Sequence, residues 1–181
     1  MKYLVVVDMQ NDFITGSLGS PHAQSIVPNV LKKIAEWDGS IVATQDTHDE
    51  TYLHTQEGSN LPVSHCIEGT YGWEIEHSIQ ALLSEKCADG QQVVYVSKGA
   101  FGSSHLANLL YDAEKNEPID SIHIVGLCTD ICVISNAMIL KSYLPEVPII
   151  VDASCCAGVT PESHLTALQA MKACQIAIIN E

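Results

Sequence analysis

The apolar residues of this chain form six short runs, separated by stretches whose apolar residues have helical spacing. The runs are rich in Val and Ile and do not alternate with polar residues, which is typical of strands buried on both faces of a sheet. They lie at Tyr3–Val7, Ile41–Thr44, Val93–Val96, Ile122–Val125, Ile149–Val151 and Ile176–Ile179. Apolar residues three and four positions apart predict helices at Ile26–Trp37, Ile75–Cys87, Leu106–Glu114, Asp130–Tyr143 and Pro161–Lys172.

Strands and helices therefore alternate through the chain. This rhythm predicts right-handed strand–helix–strand units in an α/β fold, a three-layer α/β/α sandwich with a six-stranded, mostly parallel sheet. No linker, repeat or low-complexity tract interrupts the pattern, so we expect residues 1–181 to form one domain.

Composition narrows the function classes. The chain has 181 residues, of which 46% are hydrophobic and 17% charged, which excludes a disordered chain or an extended coiled coil. Lys and Arg number 8 against 22 Asp and Glu, a net charge of −14, so nucleic acid and anionic membrane surfaces are disfavoured as partners.

The seven cysteines are an odd number and lie mostly in apolar runs, which favours free thiols. The apolar run at the start is too short for a signal sequence, and we expect a cytoplasmic protein.

Charged residues follow several predicted strands. Asp8 follows the first strand, Asp46 the second and Lys98 the third, and in open parallel sheets ligands bind beyond these carboxyl ends. A salt bridge that closes this edge of the sheet is the structural alternative. The long segment Asp46–Trp73 lies at the same edge and holds several His, Asp and Glu residues, and long loops in compact domains are usually functional.

Cys132 is the candidate nucleophile. The fourth strand is predicted to end at Val125, Gly126 opens a turn, and a helix begins near Thr129 or Asp130. A thiol in the first turn of a helix is expected to have a lowered pKa, and the free N–H groups there can bind an oxyanion. The alternative is a buried core cysteine. Cys128 lacks the CxxC spacing of a redox pair, and its backbone N–H is of more use than its sulfur.

Five motifs in order carry a resemblance. They are DMQNDF at Asp8–Phe13, TQDTH with Asp46 and His48, HCIEGT at His65–Thr70, KGAF at Lys98–Phe101 and GLCTDICV at Gly126–Val133. Together they resemble the isochorismatase-like cysteine hydrolases, and among them the nicotinamidase/pyrazinamidase branch. Cys at position 132 argues against true isochorismatases, which lack this nucleophile.

The resemblance implies a catalytic triad of Asp8, Lys98 and Cys132. Asp8 would accept the thiol proton and later deliver it to departing ammonia, while Lys98 would hold Asp8 ionised and stabilise the thiolate. The backbone N–H groups of Cys128 and Cys132 would hold the oxyanion. The resemblance also implies a cis peptide bond between Leu127 and Cys128.

The resemblance further implies a divalent metal ion, Zn²⁺ first and Fe²⁺ or Mn²⁺ as alternatives, since carboxylate and imidazole ligands suit these ions. Spacing alone favours solvated loop histidines. The implied ligands are Asp46, His48, His54 and His65, with Glu57 as a possible substitute for His54.

The substrate implied is a small carboxamide, foremost nicotinamide, hydrolysed to nicotinate and ammonia. The family commonly has Trp-Pro before the His-Cys pair, whereas this chain reads NLPVSHC, so stacking on the ring would fall to Phe13, Phe101 and Trp73. The alternatives are a metal-independent hydrolase of N-carbamoyl or other small amides, and a non-catalytic flavodoxin-like binding module. Family habit predicts a homo-oligomer.

Overall fold

All 181 residues are described by the computed structural model, and its centre is one six-stranded sheet. The strand order is β3-β2-β1-β4-β5-β6, and every neighbouring pair is parallel. The strands are β1 (Lys2–Val7), β2 (Ser40–Asp46), β3 (Val93–Lys98), β4 (Ser121–Leu127), β5 (Ile149–Ala157) and β6 (Ala177–Ile179). The six predicted strands and the α/β sandwich are confirmed.

Helices cover both faces of the sheet. They are α1 (Asn11–Ile14), α2 (Pro21–Ala35), α3 (Gln56–Asn60), α4 (His77–Ala88), α5 (Ser104–Asn116), α6 (Ile134–Tyr143) and α7 (Pro161–Ala173). Alternate residues of β1 face opposite layers: Leu4 and Val6 pack with α1, α2 and α4, while Val5 and Val7 pack with α5, α6 and α7. None of the helices combines the length and the apolar content needed to cross a bilayer.

Helix α2 begins five residues before the predicted start at Ile26. The hydroxyl of Ser20 accepts a hydrogen bond from the Ala23 N–H, and Pro21 occupies the first helical turn. In the first turn only the small side chain of Ala23 is buried, so this turn contributes little to the apolar periodicity. Capping, rather than burial, therefore sets where this helix begins.

The segment between β2 and α4 was predicted only as a long loop. It contains a 3₁₀ turn at Tyr52–His54 and the short helix α3. The buried Tyr52 donates its hydroxyl hydrogen to the Leu61 carbonyl, and the Thr55 side chain caps α3 by accepting from the Gly58 N–H. These elements are too short for a periodic pattern to show.

Candidate active site

The carboxyl ends of β1, β2, β3 and β4 meet at one edge of the sheet. Asp46 and Lys98 are register partners on β2 and β3, and Asp8 directly follows β1 on the other side of β2. Because the strands are parallel and adjacent, the three side chains share one edge, as the sequence predicted.

Lys98 lies at the centre of a buried charged group. Its Nζ is 2.7 Å from Asp8 Oδ2, 3.1 Å from Asp46 Oδ1 and 3.5 Å from Cys132 Sγ. Asp8 is fully buried, and the exposed fractions of Lys98 and Cys132 are only 6% and 5%. The structure thus brings together the three residues predicted as a catalytic triad.

Burial and the charges within this group both shift the pKa values of its members. Burial raises the pKa of Asp8, although Lys98 acts in the opposite direction. Burial alone would lower the pKa of Lys98, but the charges around it, foremost that of Asp8, raise it. Burial and the charge of Asp8 also raise the pKa of the Cys132 thiol well above its usual value. The expected lowering by the helix start is therefore wrong, because desolvation of the thiolate outweighs it. A thiol with a raised pKa needs a nearby proton acceptor to react as a thiolate.

Asp8 is oriented by its neighbour on β2. The Thr44 hydroxyl donates to Asp8 Oδ1 at 2.6 Å, and the Asp8 N–H donates to Thr44 Oγ1 at 3.2 Å. The backbone of Asp8 has a positive φ of 48°, outside the extended range of the strand it follows. This turn directs the carboxylate toward Lys98.

Cys132 lies in a π-helical turn, Thr129–Val133, that leads into α6. The peptide bond between Leu127 and Cys128 is cis, as predicted. Gly126 has a φ of 119° and approaches Val7 so closely that a Cβ would collide with the Val7 backbone. The backbone N–H of Cys128 donates to no protein acceptor. This N–H, at the entry to the turn, is available to a developing oxyanion.

A second polar group adjoins the first. One ligand atom from each of Asp46, His48, Glu57 and His65 lies within 4.8 Å of the others. His48 Nε2 is 2.9 Å from Asp46 Oδ2 and 3.6 Å from Glu57 Oε1, and His65 Nε2 is 3.5 Å from Asp46 Oδ2. Two carboxylates and two imidazoles of this kind fit a divalent metal ion such as Zn²⁺, Fe²⁺ or Mn²⁺.

His54 does not join this group. It ends the 3₁₀ turn with an exposed side chain, while Glu57 follows on α3 and is part of the group. The prediction of His54 as a ligand is not met, because the turn buries Tyr52 and directs His54 outward. The substitute that the sequence offered, Glu57, is the residue that the fold places there.

Hydrogen bonds to the backbone and rings hold this second group (Asp46, His48, Glu57 and His65), called the metal-ligand group below because it is the candidate for metal binding. Gln10 is fully buried: its Oε1 accepts from the Asp46 N–H at 2.8 Å, and its Nε2 donates to the Asp46 carbonyl at 2.8 Å. His65 Nδ1 is 2.8 Å from the Val63 carbonyl, which leaves Nε2 facing the other ligands. Burial alone would raise the pKa of Asp46, but hydrogen bonds from His48 and His65 lower it. Burial lowers the pKa of His65, but its contact with Asp46 raises it more.

Both groups open into one cavity of about 320 Å³. Cys132, Asp46, Glu57 and His65 line one part of it. The apolar part of the lining is formed by Phe13, Leu18, Leu61, Phe101, Ile131 and Val159. The cavity therefore suits a small molecule with an apolar body and one reactive polar end.

Two of the three predicted ring-stacking residues, Phe13 and Phe101, line this cavity, but Trp73 does not. The Trp73 indole donates to Thr47 Oγ1 at 2.9 Å, and its carbonyl accepts from Gln10 Nε2. These bonds hold Trp73 beside a different surface depression, so the expectation of ring contact is wrong for this residue.

Sequence reasoning did not single out Gln10, Thr44 or the cavity wall residues Leu61 and Val159. Gln10 belongs to the DMQNDF motif, which was its only signal. Thr44 is the last residue of a predicted strand, and because threonine favours strands its presence there gave no sign of a functional role. Leu61 and Val159 come from separate segments that only the folded chain joins.

Comparisons with known proteins identify the family and the fold. A family profile for the isochorismatase domain matches residues 2–180. The nicotinamidase/pyrazinamidase of Mycobacterium tuberculosis is 25% identical over 99% of this chain and 98% of its own. The crystal structure of a nicotinamidase/pyrazinamidase from Bacillus subtilis superimposes with a TM-score of 0.84 at 25% identity, covering 99% of each chain. A pyrazinamidase/nicotinamidase from Streptococcus mutans gives a TM-score of 0.83 at 25% identity, over 99% of this chain and 100% of its own.

Proposed function

This chain belongs to the isochorismatase family, and we propose that it is a cysteine hydrolase of amide C–N bonds that converts nicotinamide to nicotinate and ammonia. The observation that supports this most strongly is the placement of Asp8, Lys98 and Cys132. The Asp8 carboxyl group and the Cys132 thiol both contact the Lys98 amine, beside a cavity of the right size and polarity for a ring carboxamide.

The chemistry follows from these three groups. Asp8 takes the proton of Cys132, and the sulfur adds to the carboxamide carbon, so that a C–S bond forms and the C=O pair moves to oxygen. The N–H groups of Cys128 and Cys132 bind this oxyanion. When the oxyanion collapses, the C–N bond breaks, and the nitrogen leaves as ammonia with the proton held by Asp8.

A thioester between Cys132 and the acyl group is left. Asp8, again ionised, accepts a proton from water as the water oxygen adds to the thioester carbon. The C–S bond then breaks and the proton held by Asp8 returns to the Cys132 sulfur, while the carboxylic acid product leaves and loses its proton to solvent as nicotinate. Lys98 keeps Asp8 ionised and lowers the energy of the thiolate through both steps, since it contacts both groups.

Asp46, His48, Glu57 and His65 are the proposed metal ligands, with Zn²⁺ first and Fe²⁺ or Mn²⁺ as alternatives. When bound, such an ion supplies Lewis-acid polarisation and an anchor for a ring nitrogen beside the thiol. Because Asp46 also contacts Lys98, its carboxylate joins the two groups.

Phe13 and Phe101 are proposed to contact the substrate ring from the cavity wall. We further propose that residues 1–181 act as one hydrolase domain, that it resides in the cytoplasm, and that it assembles as a homo-oligomer. The relatives give no support to a metal-independent N-carbamoyl hydrolase or to a flavodoxin-like binding module.

The test is ammonia release from nicotinamide, pyrazinamide and a set of N-carbamoyl compounds, with nicotinate identified by chromatography. We expect the ring carboxamides to be hydrolysed and a chelator to abolish turnover until metal is restored. Cleavage of only the N-carbamoyl compounds, unchanged by the chelator, would favour the metal-independent alternative. Metal analysis of the purified protein is the independent measurement.

A further inference from the structure

The helix that follows Cys132 carries a polar side chain that is buried in the protein. Asn136 occupies the first turn of α6 and is fully buried. A buried amide without hydrogen-bond partners destabilises a fold, so the partners of Asn136 explain why the fold tolerates it.

Asn136 makes three hydrogen bonds, and they reach two different parts of the site. Its Nδ2 donates to the Cys132 carbonyl at 2.8 Å and to the Phe101 carbonyl at 3.2 Å. Its Oδ1 accepts from the Ser103 N–H at 3.0 Å. The amide thus joins the turn that holds the nucleophile to the loop that holds a cavity aromatic.

That loop, residues 99–103, has few other anchors. Lys98 Nζ donates to the Ala100 carbonyl at 3.1 Å, and Ser103 caps α5 by accepting from the Leu106 N–H. A Cβ at Gly102 would collide with Ile139 on α6, so the loop lies directly on this helix. Phe101 itself lines the cavity and remains 46% exposed.

We propose that Asn136 is a positioning residue that sets the distance between the Phe101 ring and the Cys132 sulfur, and thereby selects planar ring amides over small aliphatic ones. The proposal rests on the hydrolase function given above. Asn136 does not line the cavity and acts through its hydrogen bonds to the Phe101 carbonyl and the Ser103 N–H. Its amide has the length and the donor and acceptor needed to make these bonds and the bond to the Cys132 carbonyl at the same time.

The test uses two substitutions of Asn136. In Asn136→Leu all three bonds are lost. In Asn136→Thr the hydroxyl can still donate to the carbonyl four residues back, that of Cys132, but it is too short to reach the loop. The threonine variant separates the two functions of the amide and keeps the test valid if the leucine variant fails to fold. Ser142→Ala, on the exposed side of the same helix, is the control.

For nicotinamide we expect Asn136→Thr to raise KM about tenfold with a smaller change in kcat, while turnover of propionamide changes less than twofold. In a Phe101→Leu background the same substitution should have little further effect on nicotinamide, because its effect passes through Phe101. Equal losses in both backgrounds, or equal losses for both amides, would overturn the proposal.

A second measurement does not depend on hydrolysis. The rates at which N-phenylmaleimide and N-ethylmaleimide label Cys132 are compared by peptide mass spectrometry. We expect the preference for the phenyl reagent to fall in Asn136→Thr and in Phe101→Leu, but not to fall further in the double variant. An unchanged preference in Asn136→Thr refutes the proposal. A wild-type protein that labels normally but hydrolyses no ring carboxamide would instead refute the proposed function.

Discussion

The two charged groups at this edge of the sheet share one residue but are held differently. Asp46 contacts Lys98 through Oδ1 and His48 and His65 through Oδ2. Asp8 and Lys98 stand at strand ends, and Cys132 in the turn after a strand. In the metal-ligand group, by contrast, only Asp46 belongs to a strand, and His48, Glu57 and His65 come from the segment between β2 and α4.

This difference explains why the two groups were not equally predictable. Residues that end adjacent parallel strands are neighbours whatever the loops do, since the ladder of hydrogen bonds fixes their register. Residues of a long loop are placed by its own turns and caps. Glu57 and His54 are three residues apart, and one short 3₁₀ turn decides which of them reaches Asp46.

The largest expected effect is that of Cys132→Ala, which should abolish activity without changing the metal-ligand group. Cys132→Ala should lower ammonia release by roughly a thousandfold or more, because no other group supplies the nucleophile. Bound metal should remain as in the wild type, since the sulfur is not among the four ligands. Cys156→Ala, another buried thiol on β5, is the matched control and should keep its activity. Retained turnover in Cys132→Ala would mean that the nucleophile lies elsewhere.

Lys98→Met tests the contact between the groups. It leaves the carboxylates of Asp8 and Asp46 buried without their cation, and we expect a loss of about 3–5 kcal/mol in the free energy of unfolding together with loss of activity. Urea denaturation measures the first quantity. Lys33→Met is the comparison: its partner Asp152 keeps hydrogen bonds from Ser154 and Asn180, so the loss should be smaller. Equal losses would contradict a special role for the buried group around Lys98.

Comparing the Zn²⁺ affinities of Glu57→Gln and His54→Gln tests which of the two residues belongs to the metal-ligand group. Removing the charge of Glu57 should weaken Zn²⁺ binding by at least about tenfold, because an anionic ligand becomes neutral. His54→Gln should bind Zn²⁺ as the wild type does. Competition with a coloured chelator gives both dissociation constants, and the reverse order would restore His54 as a ligand.

Thr44→Val is expected to give the smallest effect. The hydroxyl donates to Asp8, which favours the ionised carboxylate, so its loss raises the pKa of Asp8 further. A base must be unprotonated, and the acidic limb of kcat/KM should therefore move to higher pH, by up to about one unit. The pH profile of nicotinamide hydrolysis measures this. Thr47→Val, whose hydroxyl bonds to Trp73 away from the cavity, should leave the limb in place; a shift in that variant would show that the effect is not specific to Asp8.

The sequence by itself determined the layered fold and placed Asp8, Lys98 and Cys132 at or just beyond strand ends. Periodicity identified the six strands, and the positions of Asp8, Lys98 and Cys132 relative to strand ends followed from it. Strand ends are informative because local apolar patterning fixes both the strand and its last residue.

Only the tertiary structure decided what depends on contacts between distant segments. It put Glu57 in the place expected for His54, took Trp73 away from the ring cavity, and raised the pKa of Cys132 where a helix start suggested lowering. Each of these outcomes depends on burial and on loop turns, and these arise from residues far apart in the chain, whose packing no local pattern encodes. Asn136 is a further example: it is one of several polar residues in α6, and its hydrogen bonds to the loop at Phe101 and Ser103 do not show in the sequence.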